Sequence, residues 1–533
     1  VAAPRPARSR GQYRLRDSAS VVDGVLVSRR PLVATRLNAA AIDLVAALDG
    51  GGFRTPEAVA AETEYDVDAV ATLFERLHRR GFLAWRPDRD PGFRPPVSVV
   101  VTVRDDRDAL DGCLDALAAL DYRDYEVVVV DDGSTDGTRD AVRTHRLAHE
   151  DRLRVVAVGE PDAPLGIGAS RNRGVEAASH DVIAFTDADC QPTAPWLADL
   201  VPYLAVHDLV GGRVRPAGSG PASAYEGVAS SLDMGAYGAR VDPDGDTPYL
   251  PTANLAGRRA VFEAVPFPDR NVAEDVDVCW RALAAGYDAA YTPEGVVRHD
   301  YRSTPRALAA RRATYGGSEA LLAREHDHDG RRVDVPLDGL LVALAVAAWS
   351  LSTGTVAAVA LLVTGLVGGA GLLARAATTL RQYRRLGSAV SLRHVAESSL
   401  REAVSSAYAV SREVTRYYAI PLGALAALAW PWAPTASLAL GGGVAVAALL
   451  PFAVEYAVHR PSGGLLAYAG YYFADHAGYQ VGVYQGALAH RTLAHLAPTN
   501  RFRLSGPGAG RLADATRESG RPSRAGVERN RLQ

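Results

Sequence analysis

The chain has 533 residues, 48% hydrophobic and 22% charged, a balance that excludes a disordered polymer and leaves room for two to four domains. Its 58 basic residues are all arginine against 61 acids, a net charge of −3, which reads as compositional bias rather than as a nucleic-acid surface. Cys113, Cys190 and Cys279 are odd in number and lack C-x-x-C spacing, so neither a disulfide framework nor a zinc site is indicated, and a reducing cytoplasm fits.

Residues 1–17 carry Arg5, Arg8, Arg10, Arg14 and Arg16 with no apolar run behind them, so they are not a secretory signal and are expected to form a disordered basic tail. A small unit is expected over 18–86. Val21-Val22-Asp23-Gly24-Val25-Leu26-Val27 reads as two strands joined by an Asp-Gly turn, a pair that tolerates the positive φ of a tight hairpin. Three helical patterns follow: Ile42, Leu44, Val45 and Leu48 before Gly50-Gly51-Gly52; a second opened by Thr55-Pro56-Glu57; and a third striped by Val67, Val70, Leu73, Phe74 and Leu77 that stops at Gly81. With the closing Phe82-Leu83-Ala84-Trp85 they make a winged-helix-like module. Arg76, His78, Arg79 and Arg80 on the third helix fit a solvated face better than a DNA contact. The module resembles the peptide-recognition domains of enzymes that modify ribosomally made peptides. Residues 87–96, with four prolines and a glycine, mark a linker.

Over 97–332 the pattern becomes α/β. Val97-Ser98-Val99-Val100-Val101-Thr102-Val103 predicts a buried strand, Leu110, Leu114, Leu117 and Leu120 a helix, and Glu126-Val-Val-Val-Val-Asp131-Asp132-Gly133-Ser134 a second buried strand ending in acids. Asp181-Val-Ile-Ala-Phe-Thr-Asp187-Ala188-Asp189 repeats that design, and carboxylates at strand carboxyl ends lie where open α/β sheets bind ligands. Arg104-Asp105-Asp106 stands after the first strand where a dinucleotide-binding domain would carry G-x-G-x-x-G, so a nicotinamide or flavin role is not indicated. Asp105, Asp131-Asp132-Gly133-Ser134, Gly166-Ile167-Gly168-Ala169-Ser170-Arg171-Asn172-Arg173-Gly174, Asp187-Ala188-Asp189 and Glu274-Asp275 follow one another in order. That series, over roughly Pro96 to Ala323, resembles the family-2 glycosyltransferases of GT-A fold, a Rossmann-like mixed sheet that binds nucleoside-diphosphate sugars.

The resemblance implies the following roles. Asp105, Asp131, Asp132, Arg171, Asn172 and Asp187 would bind the donor; Asp132, Ser134 or Asp136 could equally cap a helix. Asp187 and Asp189 would hold Mg²⁺ or Mn²⁺ on the diphosphate, with His299 as a third ligand, as in some family members. Asp275, at a helix start, would be the general base of a single inverting displacement, with Asp277 as its competitor. The processive synthases of this family carry Gln-x-x-Arg-Trp, and the nearest stretch here is Arg311-Arg312-Ala313-Thr314-Tyr315, so long-chain polymerisation is not indicated.

Residues 333–500 turn apolar. Leu337 to Ala374 holds one acid, Asp338, and Ile420 to Val454 no charge, so two helical hairpins are expected, the second divided by Trp430-Pro431-Trp432. The arginines between them place the connection, and the catalytic domain, on the cytoplasmic face of a membrane; a buried helical bundle is the alternative. Ser391 to Tyr418 predicts an amphipathic helix, the tyrosines of 465–490 predict aromatic packing or a sugar-stacking face, and 501–533 predicts a disordered tail. This order of parts resembles the mycofactocin-biosynthesis glycosyltransferases, which implies a hexose, expected to be glucose from UDP-glucose, moved to a peptide-derived small acceptor. Two alternatives stand beside it: a membrane glycosyltransferase of cell-surface or lipid-linked glycan, and a non-catalytic nucleotide-sugar sensor or scaffold.

Overall fold

The computed structural model describes residues 11–29, 32–48, 51–301, 304–326 and 391–496, together with 373, 374, 377, 380 and 381. At the N-terminus, strands Ala19–Val22, Val25–Arg29 and Leu32–Arg36 form an antiparallel meander, with Asp23 (φ 51°) and Gly24 (φ 71°) turning the first hairpin. Helices Ala39–Ala46, Pro56–Thr63 and Val67–Arg79 follow, capped by Asn38, Thr55 and Asp66, whose side chains each accept from a backbone amide of the first turn. One expectation is corrected. Residues 11–15, placed in the disordered tail, form a strand antiparallel to Leu83–Pro87, with Tyr13 opposite Trp85 and fully buried. Arg14 and the arginines before this strand masked a Gln-Tyr-Arg-Leu alternation whose inward tyrosine packs tilted against Phe74 and edge-on against His78.

The larger domain, after the linker, is built on an eight-stranded mixed sheet. Its strands lie in the spatial order Ala239–Arg240, Ala289–Tyr291, Leu209–Gly211, Leu255–Arg258, Val182–Asp187, Val97–Val103, Tyr125–Asp132 and Leu153–Val158. The last four are parallel, and Leu255–Arg258 runs antiparallel between Leu209–Gly211 and Val182–Asp187. Valines at 97, 99, 101, 127 and 129 enter the core on one face and Val100, Val128 and Val130 on the other, which is why these runs are continuously apolar. Register sets the site. Val103 pairs with Asp131 and Thr102 with Asp187, so acids distant in sequence end on one level at the carboxyl edge.

A small second sheet joins Cys190–Pro192, Val297–His299 and Val214–Pro216, with Cys190 opposite His299. The N-terminal module docks beside the domain through Arg240, whose guanidinium bonds both Glu75 oxygens (2.9 and 3.0 Å) and the Tyr13 hydroxyl (3.3 Å) and lies 4.9 Å from the Trp85 ring centre.

Helix Pro305–Glu325 leaves the domain and packs along helix Gly464–His490. Gly478, Gly482 and Gly486 recur every fourth residue on the facing side, and a Cβ on them would come within 2.3, 1.9 and 2.4 Å of the Ala309, Ala313 and Gly317 carbonyl oxygens. These backbones meet because no side chain intervenes, the small-residue packing used between apolar helices. The tyrosines of this helix serve packing: Tyr468, Tyr471 and Tyr472 cluster with Tyr225, Phe452 and Tyr456.

The amphipathic helix is present as Leu392–Glu413, with Val395 inserted among Val25, Val27, Leu32 and Ala34 of the N-terminal sheet. It continues through a π-helical turn into Ala419–Ala429, and Pro434–His459 returns alongside. Pro434–His459 is long and apolar enough to cross a membrane, and only 11% of its apolar window is buried. The first apolar stretch, Leu337 to Ala374, and the tail 501–533 lie outside the described residues, apart from 373 and 374.

Replacing Gly482 by valine is expected to lower the melting transition by roughly 5 °C or more, because helices in backbone contact must separate. Gly470→Ala, whose added methyl meets nothing within 4 Å, is the control expected to leave it unchanged or slightly raised, as measured by calorimetry.

Candidate active site

The carboxyl edge of the sheet opens into a cleft of about 240 Å³. Thr102, Val103, Arg104 and Asp106 line one end, Asp187, Ala188 and Asp189 the floor, and Glu226, Ser230, Ser231, Tyr301, Arg311, Arg312 and Tyr315 the far wall, with His299 beside the floor. The acids come from strand ends and the far wall from helices Pro221–Ala229 and Pro305–Glu325 and their flanking loops.

Asp189 and His299 meet because their strands pair: His299 Nε2 lies 3.5 Å from Asp189 Oδ1, and the ligand atoms of Asp189, Cys190 and His299 all lie within 4.8 Å of one another. His299 Nδ1 is buried with no hydrogen-bond partner. Burial, reinforced by Asp187 and Asp189, pushes the Cys190 thiol far up, so it stays protonated while the carboxylates and imidazole offer donors. A carboxylate and imidazole at contact distance, with Asp187 on the same floor, suit a divalent cation of the Mn²⁺ type.

Asp187 is held from below. Arg171, 2% exposed, donates to Asp187 Oδ1 (2.9 Å) through one nitrogen and to Glu274 through the other. Asn172 spends its amide on the backbone of Phe267, donating to its carbonyl and accepting from its N–H, both at 2.9 Å. Arg171 and Asn172, expected to bind the donor, are here engaged within the protein, where one bonds two carboxylates and the other fixes the loop entering helix Glu274–Ala284. Their motif revealed that they matter but not which groups they touch.

The other candidates are also engaged. Asp131, fully buried, accepts from Ser134 N (3.2 Å) and pairs with Arg139. Asp132 accepts from Leu165 N (2.6 Å) and Gly166 N (2.8 Å), fixing the loop before helix Ile167–Ala177. Asp105, at φ 48°, accepts from Thr135 N (2.7 Å) and keeps its side chain 42% exposed. Asp136 bonds Thr138 N (3.1 Å) and Arg107 N (2.9 Å), tying the first two strand-end loops together.

Asp275 and Asp277 part company. Asp277 is buried and bonded by Arg281 (2.6 Å), His326 (2.8 Å) and Arg270 (3.3 Å), which leaves it no face for a substrate. Asp275, in the first turn of its helix, accepts from Val276 N (2.8 Å) and among the described residues forms no ion pair with an arginine. Burial and the neighbouring Glu274 push its carboxyl up to about 7, against the pull of Arg171. It lies just behind the residues lining the cleft, within electrostatic reach of Asp187, Tyr249 and Tyr315.

Glu226, Arg311 and Arg312 were not singled out as site residues by the sequence. Arg311-Arg312 was visible only as a motif that failed to match, and Glu226 had no local signal.

The glycosyl transferase family 2 profile matches residues 98–265. The pre-mycofactocin glycosyltransferase of Mycobacterium tuberculosis is 34% identical over 249 residues, which cover 45% of this chain and 50% of that protein, so the chain spans about half the length of that relative. Glycosyltransferase AglE of Haloferax volcanii is 33% identical over 218 residues, covering 39% of this chain and 68% of that protein. A solved mannosyltransferase from Pyrobaculum calidifontis, in complex with GDP-Man and Mn²⁺, is 23% identical and covers 78% of this chain and 98% of that one, at a TM-score of 0.35 too distant to carry weight. The family profile lies over the strands that deliver Asp131, Asp132 and Asp187, and a relative one-third identical is matched across two thirds of its length: the chain belongs to glycosyl transferase family 2.

Proposed function

We propose that this enzyme moves a hexose, glucose from UDP-glucose, to a hydroxyl of a peptide-derived small acceptor by a single inverting displacement. The observation that carries the mechanism is the contrast between Asp277, locked by two arginines and a histidine, and Asp275, which among the described residues has no arginine ion pair and is poised near neutrality. The nucleotide would be taken at the strand-end loops that Asp105, Asp131 and Asp132 hold. Asp187, Asp189 and His299 would hold Mg²⁺ or Mn²⁺, which when bound offsets the charge developing on the departing diphosphate. Arg171 holds Asp187 in place through a 2.9 Å bond. Asp275 takes the proton from the acceptor hydroxyl as it attacks the anomeric carbon, and a carboxylate with pKa near the working pH is the form of base that general-base catalysis favours.

The acceptor class draws support from the name of the Mycobacterium tuberculosis relative and from the peptide-recognition-like module at 18–86, anchored to the catalytic domain by Arg240. A second acceptor class, a lipid-linked glycan, is favoured by one observation, the exposed apolar helix Pro434–His459, which also supports placing the enzyme at the cytoplasmic face of a membrane. Mass spectrometry of purified enzyme with Mn²⁺, UDP-glucose and each acceptor separates them. Hexose is expected on the peptide-derived precursor of mycofactocin, and addition only to a polyprenol-phosphate-linked glycan would overturn that choice.

Asp275→Asn is expected to reduce turnover by roughly 10²–10⁴-fold with donor binding within about twofold, as read by steady-state kinetics and nucleotide titration. In the wild type, a carboxyl raised to about 7 is protonated and idle below that pH, so kcat/KM is expected to climb as pH rises through 7 and then level. Retained activity in the variant would return the role to another group. Asp189→Ala and His299→Ala are expected to raise the Mn²⁺ concentration for half-maximal activity at least about tenfold and to abolish Mn²⁺-induced thermal stabilisation. Full turnover after exhaustive chelation would contradict the cation site.

A further inference from the structure

The far wall of the cleft is held from outside the catalytic domain. Arg312, 4% exposed, sends its three nitrogens to three different segments: Nη2 to Glu226 Oε2 (2.9 Å) on helix Pro221–Ala229, Nη1 to Ser231 Oγ (2.9 Å) on the loop after it, and Nε to Asp475 Oδ2 (2.9 Å) on helix Gly464–His490. Asp475 is itself buried, and Arg416, lying over the Tyr479 ring, approaches its other oxygen at 3.9 Å. Two arginines and two carboxylates thus close one neutral buried cluster. Glu226 and Ser231 face the cleft, next to Ser230, whose hydroxyl meets that of Tyr301 at 2.7 Å.

Donor and acceptor ends can be told apart by origin. The strand termini Thr102–Val103 and Asp187 sit where an α/β sheet takes a nucleotide. Glu226, Ser230, Ser231 and Tyr301 line the same cleft and come from no strand of the main sheet. A carboxylate and three hydroxyls on one wall match a polyhydroxylated ligand, since each can accept from or donate to a sugar-type hydroxyl.

We propose that Glu226, Ser230, Ser231 and Tyr301 form a subsite for the hydroxyl-rich part of the acceptor, and that Asp475 is its positioning residue, acting through Arg312. Asp475 touches no substrate. It fixes the plane of the Arg312 guanidinium, whose remaining nitrogens then set Glu226 and Ser231. A guanidinium bonded on three sides has one orientation, while one missing its carboxylate partner is free to turn toward Glu226 alone. The C-terminal helix is by this route a component of the catalytic cleft. The subsite rests on the glycosyl-transfer reading but not on which acceptor is used.

The test compares Asp475→Asn with wild type in the full-length enzyme by two measurements. Hydrogen exchange is expected to rise at residues 222–232 while strand Val182–Asp187 keeps its protection, whichever acceptor proves correct. In transfer to the mycofactocin precursor, acceptor KM is expected to rise about tenfold with UDP–Mn²⁺ affinity unchanged, and Asp475→Glu is expected to recover part of it. Unchanged exchange at 222–232 would overturn the proposal even if the precursor is no acceptor, an outcome that would instead overturn the acceptor reading. Equal losses of donor and acceptor affinity would reduce Asp475 to a stabilising residue. Should Asp475→Asn fail to fold, Glu226→Gln takes its place, with the same acceptor-only effect expected and an unaltered acceptor KM contradicting the subsite.

Discussion

One buried guanidinium joins the two chemical halves of this enzyme. Arg171 lies between Asp187, at a strand end, and Glu274, at the start of the helix that carries Asp275. Four carboxylates, Asp187, Asp189, Glu274 and Asp275, crowd a space with little water to screen them, and their mutual repulsion would splay strand from helix without a fixed cation beneath. Arg171 cannot lose its proton, and its planar fork reaches two carboxylates at once, which lysine could not do as well. Its neutralisation is unequal. Asp187 and Glu274 receive direct bonds, whereas Asp275 receives only the weaker field and keeps a raised pKa. The same residue that bonds Asp187 and Glu274 thereby leaves Asp275 without a direct bond from it, as the proposed base requires.

Around that centre the fold behaves as a set of levels. Parallel register brings Asp131 and Asp187 to the height of Val103 and Thr102, and the small sheet sets His299 against Asp189. The loops between are held by the acids themselves: Asp132 grips Leu165 and Gly166, Asp105 grips Thr135, and Asp136 grips Arg107 and Thr138. Backbone amides pointing at a carboxylate make each loop rigid before any ligand arrives, so less ordering is required on binding. The wall opposite is organised in the same manner but from further away, through Arg312.

Much of this was legible in the sequence for a physical reason. A strand covered on both faces must be apolar throughout, so Val97–Val103 and the run before Asp131 announce themselves, and acids ending such runs have one place to go. Asn38, Thr55 and Asp66 cap where their chemistry predicts. What stayed hidden depends on contacts without local period. Spacing could not separate Asp275 from Asp277, because the difference lies in Arg270 and His326, brought in by the fold. Tyr13 was lost among arginines, although its strand pairs with Leu83–Pro87. Gly478, Gly482 and Gly486 do recur every fourth residue, a signal obscured by the tyrosines around them, whose own role is packing. Arg312 and Asp475 are 163 positions apart, and nothing short of the fold relates them.

The account stands on a single displacement with Asp275 as base, and the stereochemistry of the product reports on it most directly. Proton NMR of the first glycosylated product, formed from a donor whose sugar is α-linked to the diphosphate, reads the configuration from the anomeric coupling. A β-linked sugar is the expected result, since attack opposite the leaving group inverts the carbon. An α-linked product would contradict the account, because retention requires either a covalent intermediate or same-face attack, and neither gives Asp275 the role assigned to it.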